Sequence, residues 1–126
     1  MQRTSSADDI ASLFKVTYID ERSNARLQED VTVYAWGLFL QSIEERDVPV
    51  TFAELLTFST GWDQIPPCGF AKEIDILFYN QESDSTRLPF VSTCGLQMWL
   101  PRNENPESLS RLLLRAVKES AGFLKV

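Results

Sequence analysis

Apolar positions recur along this chain with two periods, and each period predicts a different kind of element. Ile10, Leu13 and Phe14 share a face behind Asp8 and Asp9, whose carboxylates suit the amino terminus of a short helix capped by Ser6. A short extended piece over 16–19 follows. From Gln28 to Arg46, the residues Val33, Trp36, Leu40 and Ile43 stand three, four and three apart, which is the spacing of an amphipathic helix. Trp36 and Phe39 read as its core anchors before they read as a ligand platform. Thr51-Phe52-Ala53-Glu54 has the pattern of a reciprocal capping box, with Val50 and Leu55 as the apolar pair around it, so a helix is predicted through Phe58 that stops near Gly61. Pro66, Pro67 and Gly69 make the stretch after it a loop.

The period then changes to two. Ile74, Ile76 and Phe78 alternate with Asp75, Leu77 and Tyr79, as in a strand with one buried face. The polar run 80–87 is a surface turn. Leu88 to Val91, and then Leu96, Met98 and Leu100, make two more extended pieces that flank Ser92-Thr93-Cys94-Gly95, so Cys94 falls between two strands. Asn105 as cap and Pro106 in the first helical position open a last helix, with Leu109, Leu112, Leu113, Ala116 and Val117 on its apolar face and Gly122 suited to its end. This order predicts an α+β domain, a small mixed sheet packed with helices.

Composition narrows the chemistry. A chain of 126 residues with 44% hydrophobic content builds one core. It holds no run near the roughly 18 apolar residues that span a bilayer and no basic-then-apolar leader, so a soluble chain without a membrane partner is expected. The net charge of −6 argues against nucleic acid, because Lys15, Arg22, Arg26, Arg102, Arg111 and Lys118 are scattered among acidic neighbours and form no stripe. There is no histidine, and Cys68 and Cys94 are the two cysteines. A structural zinc needs about four Cys or His ligands, so no metal site is expected, and no cofactor. A nucleophile paired with histidine is ruled out as well. Two cysteines without a leader fit a reducing compartment, cytoplasm or nucleus, with both thiols free.

From about Thr51 onward an ordered set of motifs resembles the carboxy-terminal lobe of the HECT ubiquitin ligases. Leu55-Leu56-Thr57-Phe58-Ser59-Thr60-Gly61 resembles that lobe's Phe-x-Thr-Gly helix end, and Ile65-Pro66-Pro67-Cys68-Gly69-Phe70 its proline loop. Leu88-Pro89-Phe90-Val91-Ser92-Thr93-Cys94 is similar to its catalytic segment, Leu100-Pro101 to the close of its next strand, and Gly122-Phe123 to its tail. Phe123 is fourth from the end here, as in the family, and that spacing implies that Val126 closes the protein. A narrower likeness, in Ser23-Asn24-Ala25-Arg26 with Trp36, Phe39, Leu40, Ile43 and Glu44, is to the branch of the G2/M-phase-specific ubiquitin ligase.

The resemblance implies that residues 29–126 form the carboxy-terminal lobe and that 1–28 are an extension or linker from the larger amino-terminal lobe, which this chain lacks. It implies that Cys94 accepts ubiquitin as a thioester from a ubiquitin-conjugating enzyme (E2) and passes it to a lysine of a protein substrate, with Thr93 and Phe123 assisting transfer. Thioester exchange suits a chain without histidine, since the leaving thiolate is as good as the attacking one. Cysteine thiols in general, with a pKa of about 8.5, are ionised to a few per cent at neutral pH and are nucleophilic enough to use that fraction. Transfer to lysine also needs a proton acceptor. Asp63, Asp75 and Asp84 qualify by type, though each reads first as a solvated surface charge.

Two positions depart from the family, which often has histidine before Thr-Cys and phenylalanine after it, where this chain has Ser92 and Gly95. They keep open a second function, a non-catalytic module of the same fold that binds ubiquitin or another protein. Without the family, Cys94 would read as a buried structural thiol, the usual state of free cysteine. Cys68, between Pro67 and Gly69, reads as a loop thiol with no catalytic role. A third reading, a redox sensor, would need Cys68 as the resolving partner of Cys94.

Overall fold

The structure is a computed structural model that describes residues 7–18, 24–61, 72–81, 87–102 and 105–124, with the backbone alone described for 24 and 121–124. The stretch 24–44 contains no proline and a single glycine, and it forms the longest helix, α2 (Asn24–Glu44), after the short α1 (Ala7–Ala11) and the strand β1 (Phe14–Val16). The sequence pattern placed Phe14 on the first helix. In the structure the chain has already become extended there, because Phe14 pairs with Ile74 in the sheet and its ring meets Trp36 edge-on at 5.0 Å.

Helix α2 ends where Arg46 takes a left-handed conformation (φ 62°). The amide of Asp47 then donates to the carbonyl of Ser42 and that of Arg46 to Ile43, the paired bonds that satisfy the last carbonyls of a helix. Helix α3 (Phe52–Thr60) follows, and the capping box is present as expected. The Glu54 amide donates to Thr51 Oγ1 and the Thr51 amide to Glu54 Oε1. Its far end explains the Thr-Gly pair. Gly61 is left-handed (φ 85°), where a β-carbon is costly, and its amide donates to the Thr57 carbonyl, while the buried hydroxyls of Ser59 and Thr60 donate back to Leu55 and Leu56.

Strands β2 (Ile74–Tyr79), β3 (Phe90–Ser92) and β4 (Gln97–Pro101) join β1 in one mixed sheet of order β1-β2-β4-β3. The pairs β1–β2 and β2–β4 are parallel, and β3–β4 is antiparallel. One face carries Ile74, Ile76, Met98 and Leu100, all essentially inaccessible, against Trp36, Phe39, Leu40 and Ile43 of α2 and Leu109, Leu113 and Val117 of α4 (Pro106–Leu124) in a single core. Helix α4 continues through Gly122 to Leu124. The sequence placed a terminus at Gly122; nothing about glycine forbids a helical conformation there, only the preference is weaker.

Ile10 is fully buried and Phe14 nearly so. Residues 7–18 of the segment read as an extension therefore contribute core side chains and a sheet strand. Glu44 accepts a hydrogen bond from the Ala7 amide and joins α1 to the end of α2. At the opposite end of α2, Glu29 is wholly buried and accepts from Arg102 Nε at 2.7 Å, while Arg102 also donates to Asn80 Oδ1 and the buried Thr32 hydroxyl donates to the Pro101 carbonyl. This polar knot ties α2 to the ends of β2 and β4.

Candidate active site

A chain that must reverse between two antiparallel strands needs one residue whose backbone curls the other way, and here it is Leu96. The register Ser92↔Gln97 leaves Thr93, Cys94, Gly95 and Leu96 as a four-residue turn between β3 and β4. Leu96 has φ 52°, an uncommon conformation for a residue with a β-carbon. Three contacts hold it there. Its side chain packs against the core, its amide bonds weakly to the Thr93 carbonyl at 3.4 Å, and its carbonyl accepts from the Asp75 amide of β2 at 2.8 Å.

Ser92 Oγ accepts from the Gly95 amide at 3.3 Å, a local side-chain cap across the turn. A β-carbon on Gly95 would stand 3.0 Å from Gln97 Oε1 and 3.3 Å from Ser92 Oγ, so any larger residue there must push aside the Gln97 side chain or break the Ser92 cap. The two departures from the family pattern are thus coupled: serine before the Thr-Cys pair reaches the amide after it, and glycine leaves the room. Between them, at the crest of the turn, Cys94 is a free and exposed thiol. Thr93 is exposed beside it, and its hydroxyl has no hydrogen-bonding partner among the described residues.

The approach to β3 is also fixed. Gln81 clamps both backbone groups of Arg87, its Nε2 donating to the Arg87 carbonyl at 2.8 Å and its Oε1 accepting from the Arg87 amide at 2.9 Å, and the Tyr79 hydroxyl donates to the same carbonyl. The Arg87 guanidinium lies 4.2 Å over the Phe90 ring, which stacks on Trp99 at 5.0 Å and 8°. Pro89 is buried between them in sequence. The chain therefore enters the Cys94 hairpin from an anchored position.

The predicted site residues divide accordingly. Cys94 and Thr93 share the turn. The backbone of Phe123 lies in the last turn of α4, a helix packed on α2 and α3, and its side chain lies outside the described residues, as do Cys68, Asp63 and Asp84. Asp75 is described: its amide serves the turn and its carboxylate accepts from Lys72 Nζ at 2.9 Å, with Lys15 opposite in register. The sequence marks Ser92 as a departure beside Cys94 but not its bond to the Gly95 amide, and it gives no sign of Leu96 or the Asp75 amide as parts of the site. A serine three places before a glycine amide was a readable signal for that bond. Backbone pairing between β2 and the turn carries no signal in residue identity.

Cys94 stands exposed at the crest of the β3–β4 hairpin, in a mixed sheet packed with helices. The chain belongs to the HECT-domain (ubiquitin-transferase) family, whose profile matches residues 11–125. Among curated proteins it is similar to the apoptosis-resistant E3 ubiquitin protein ligase 1 of Homo sapiens, 29% identical over 117 residues, or 92% of this chain and 14% of the relative. The Mus musculus counterpart is 29% identical over 111 residues, 87% of this chain and 13% of the relative. The probable E3 ubiquitin-protein ligase HECTD2 of Homo sapiens is 31% identical over 70 residues, 56% of this chain and 9% of the relative. The chain thus spans about one seventh of the length of the first two relatives.

Proposed function

We propose that this chain is the ubiquitin-carrying lobe of a HECT-type ligase and that Cys94 is the residue that carries it. In the first step the Cys94 thiolate attacks the thioester carbonyl carbon of an E2-bound ubiquitin. A new carbon–sulfur bond forms, the bond to the E2 sulfur breaks, and the E2 cysteine leaves as its thiolate. In the second step the amine of a substrate lysine attacks the same carbon, Cys94 leaves as thiolate, and the amine proton passes to an acceptor base. Thr93 and Phe123 assist, and the setting is a reducing one, cytoplasm or nucleus. The observation that carries this reading is the exposure of Cys94 at the crest of a turn held by Ser92 and by the Asp75 amide. Exposure is what a nucleophile meeting a macromolecular thioester needs, and the opposite of a structural thiol.

The proposal extends to the branch of the G2/M-phase-specific ligase, a likeness whose Trp36, Phe39, Leu40 and Ile43 all lie in the core, where packing also accounts for them.

The test is intact-mass analysis after incubation with ubiquitin bearing a cysteine-reactive electrophile at its carboxy terminus, comparing wild type, Cys68→Ala and Cys94→Ala. One adduct, lost only in Cys94→Ala, is the expected result. Absence of an adduct, or equal labelling at Cys68, would transfer the assignment to a non-catalytic module that binds ubiquitin or another protein.

A further inference from the structure

Among the described residues, the large apolar side chains that stand exposed all lie on α2: Leu27 at 66%, Val31 at 39% and Tyr34 at 65%. Their spacing, i, i+4 and i+7, puts them in one line along the helix, and half-buried Leu38 continues it. Single exposed apolar residues are normal on any protein, but a continuous line is not scatter. The other side of α2 already buries Trp36, Phe39, Leu40 and Ile43, so the core gives no account of this second apolar stripe.

The line runs into a recess of about 350 Å³ whose lining includes Leu38, Gln41, Ser42, Glu45, Pro106 and Glu107. Both of its charged lining residues are carboxylates, and neither Glu45 nor Glu107 forms an ion pair with a described residue. At the other end of the line the charges are matched: Arg26 donates to Asp30 at 3.2 Å and lies 3.6 Å over the Tyr18 ring. One end of the stripe is therefore electrostatically satisfied and the other is acidic.

We propose that this face of α2 docks a helix of a partner protein, one that lays apolar side chains at i, i+4 and i+7 along Leu27, Val31 and Tyr34 and sets a lysine or arginine in the recess between Glu45 and Glu107. From residue 27 to 38 a helix rises roughly 16 Å, the length of three turns of a partner helix. A strand is a poor occupant, since a helix flank has no free backbone donors or acceptors to extend a sheet. Anionic lipid and nucleic acid are opposed by the two carboxylates and by the net charge of −6. A second copy of the chain fits badly as well. In a two-fold pair each acidic recess meets the other copy's amino end, where Arg26 is already engaged. None of these residues belongs to the Cys94 turn, so the proposal stands or falls apart from the transferase reading.

The experiment is selection of a displayed library of helical peptides on the intact chain, with counter-selection on a Leu27→Asp/Tyr34→Asp variant, followed by fluorescence anisotropy of the enriched peptides. The expected peptides carry an apolar triad at i, i+4 and i+7 with a basic residue at one end. Their binding should fall at least about tenfold with Leu27→Asp or Tyr34→Asp, and several-fold with Glu45→Lys/Glu107→Lys, and a lysine-to-glutamate exchange in the peptide should restore it on that charge-reversed chain. Thermal melts establish that the variants fold, which their exposed positions favour. The proposal is overturned by failure to enrich over the counter-selected variant, by peptides without basic bias, by binding indifferent to Glu45 and Glu107, or by a dimer of this chain that Leu27→Asp dissociates in sedimentation.

Discussion

The Asp75 amide donates to the Leu96 carbonyl across 2.8 Å, and Leu96 is the residue whose left-handed backbone closes the Cys94 turn. A turn that would otherwise hang from β3 and β4 alone is thereby stitched to the neighbouring strand β2. Leu96→Val keeps an apolar side chain but puts a branched β-carbon into left-handed backbone. It is expected to lower stability by about 1–3 kcal/mol, read from urea unfolding, and to slow the ubiquitin adduct at Cys94.

Ser92 acts on the same turn from within. Ser92→Ala removes the acceptor for the Gly95 amide and should cost about 1 kcal/mol. Iodoacetamide labelling of Cys94 should barely change, because an exposed thiol reacts with a small reagent whatever the order of its turn. Adduct formation with the ubiquitin electrophile should fall several-fold. Equal loss in both assays would show that Ser92 controls the thiol itself and not the presentation of the turn.

Glu29 and Arg102 form the most buried ion pair among the described residues, since Glu29 is wholly buried and Arg102 has 15% of its side chain exposed. Arg102→Ala removes a charged donor from the buried Glu29 carboxylate and should cost about 1.5–3 kcal/mol in a denaturation experiment. Glu29→Met combined with Arg102→Met, which removes both charges of the pair, should recover part of that loss.

Thr51→Ala removes one half of the capping box at the start of α3 and should cost about 1 kcal/mol, measured as a lowered urea midpoint at unchanged slope. Leu113→Ala, at a fully buried position between α4 and the core, should cost about 2–5 kcal/mol.

Much of this was legible in the residues. The capping box at Thr51 and the cap at Gly61 are local chemistry, and the alternation through Ile74, Ile76, Met98 and Leu100 reports burial on one sheet face, so both kinds of element could be read directly. The position of Cys94 between two strands followed from the same alternation. What could not be read is non-local. Strand β1 is short, and its pairing with Ile74 depends on a partner far along the chain, so Phe14 was assigned to a helix whose spacing it also fits. The stripe of Leu27, Val31 and Tyr34 was hidden because an apolar residue has the same letter whether it faces the core or solvent. The support of the turn by Asp75 uses a backbone amide, which every residue but proline has.

Strand β1 has one further consequence. It covers the outer edge of β2 with three residues, and its partner is reached only after α2 and α3 have been traversed. Parallel pairing over such a separation closes late in folding, because the loop entropy is spent before the contact returns anything. A shortened chain that begins after residue 18 would leave the edge hydrogen-bonding groups of Ile74 to Ile76 without their cover, a strand edge open to the next molecule. A strand of three residues, with Phe14 its one buried side chain, would thus guard the sheet against self-association.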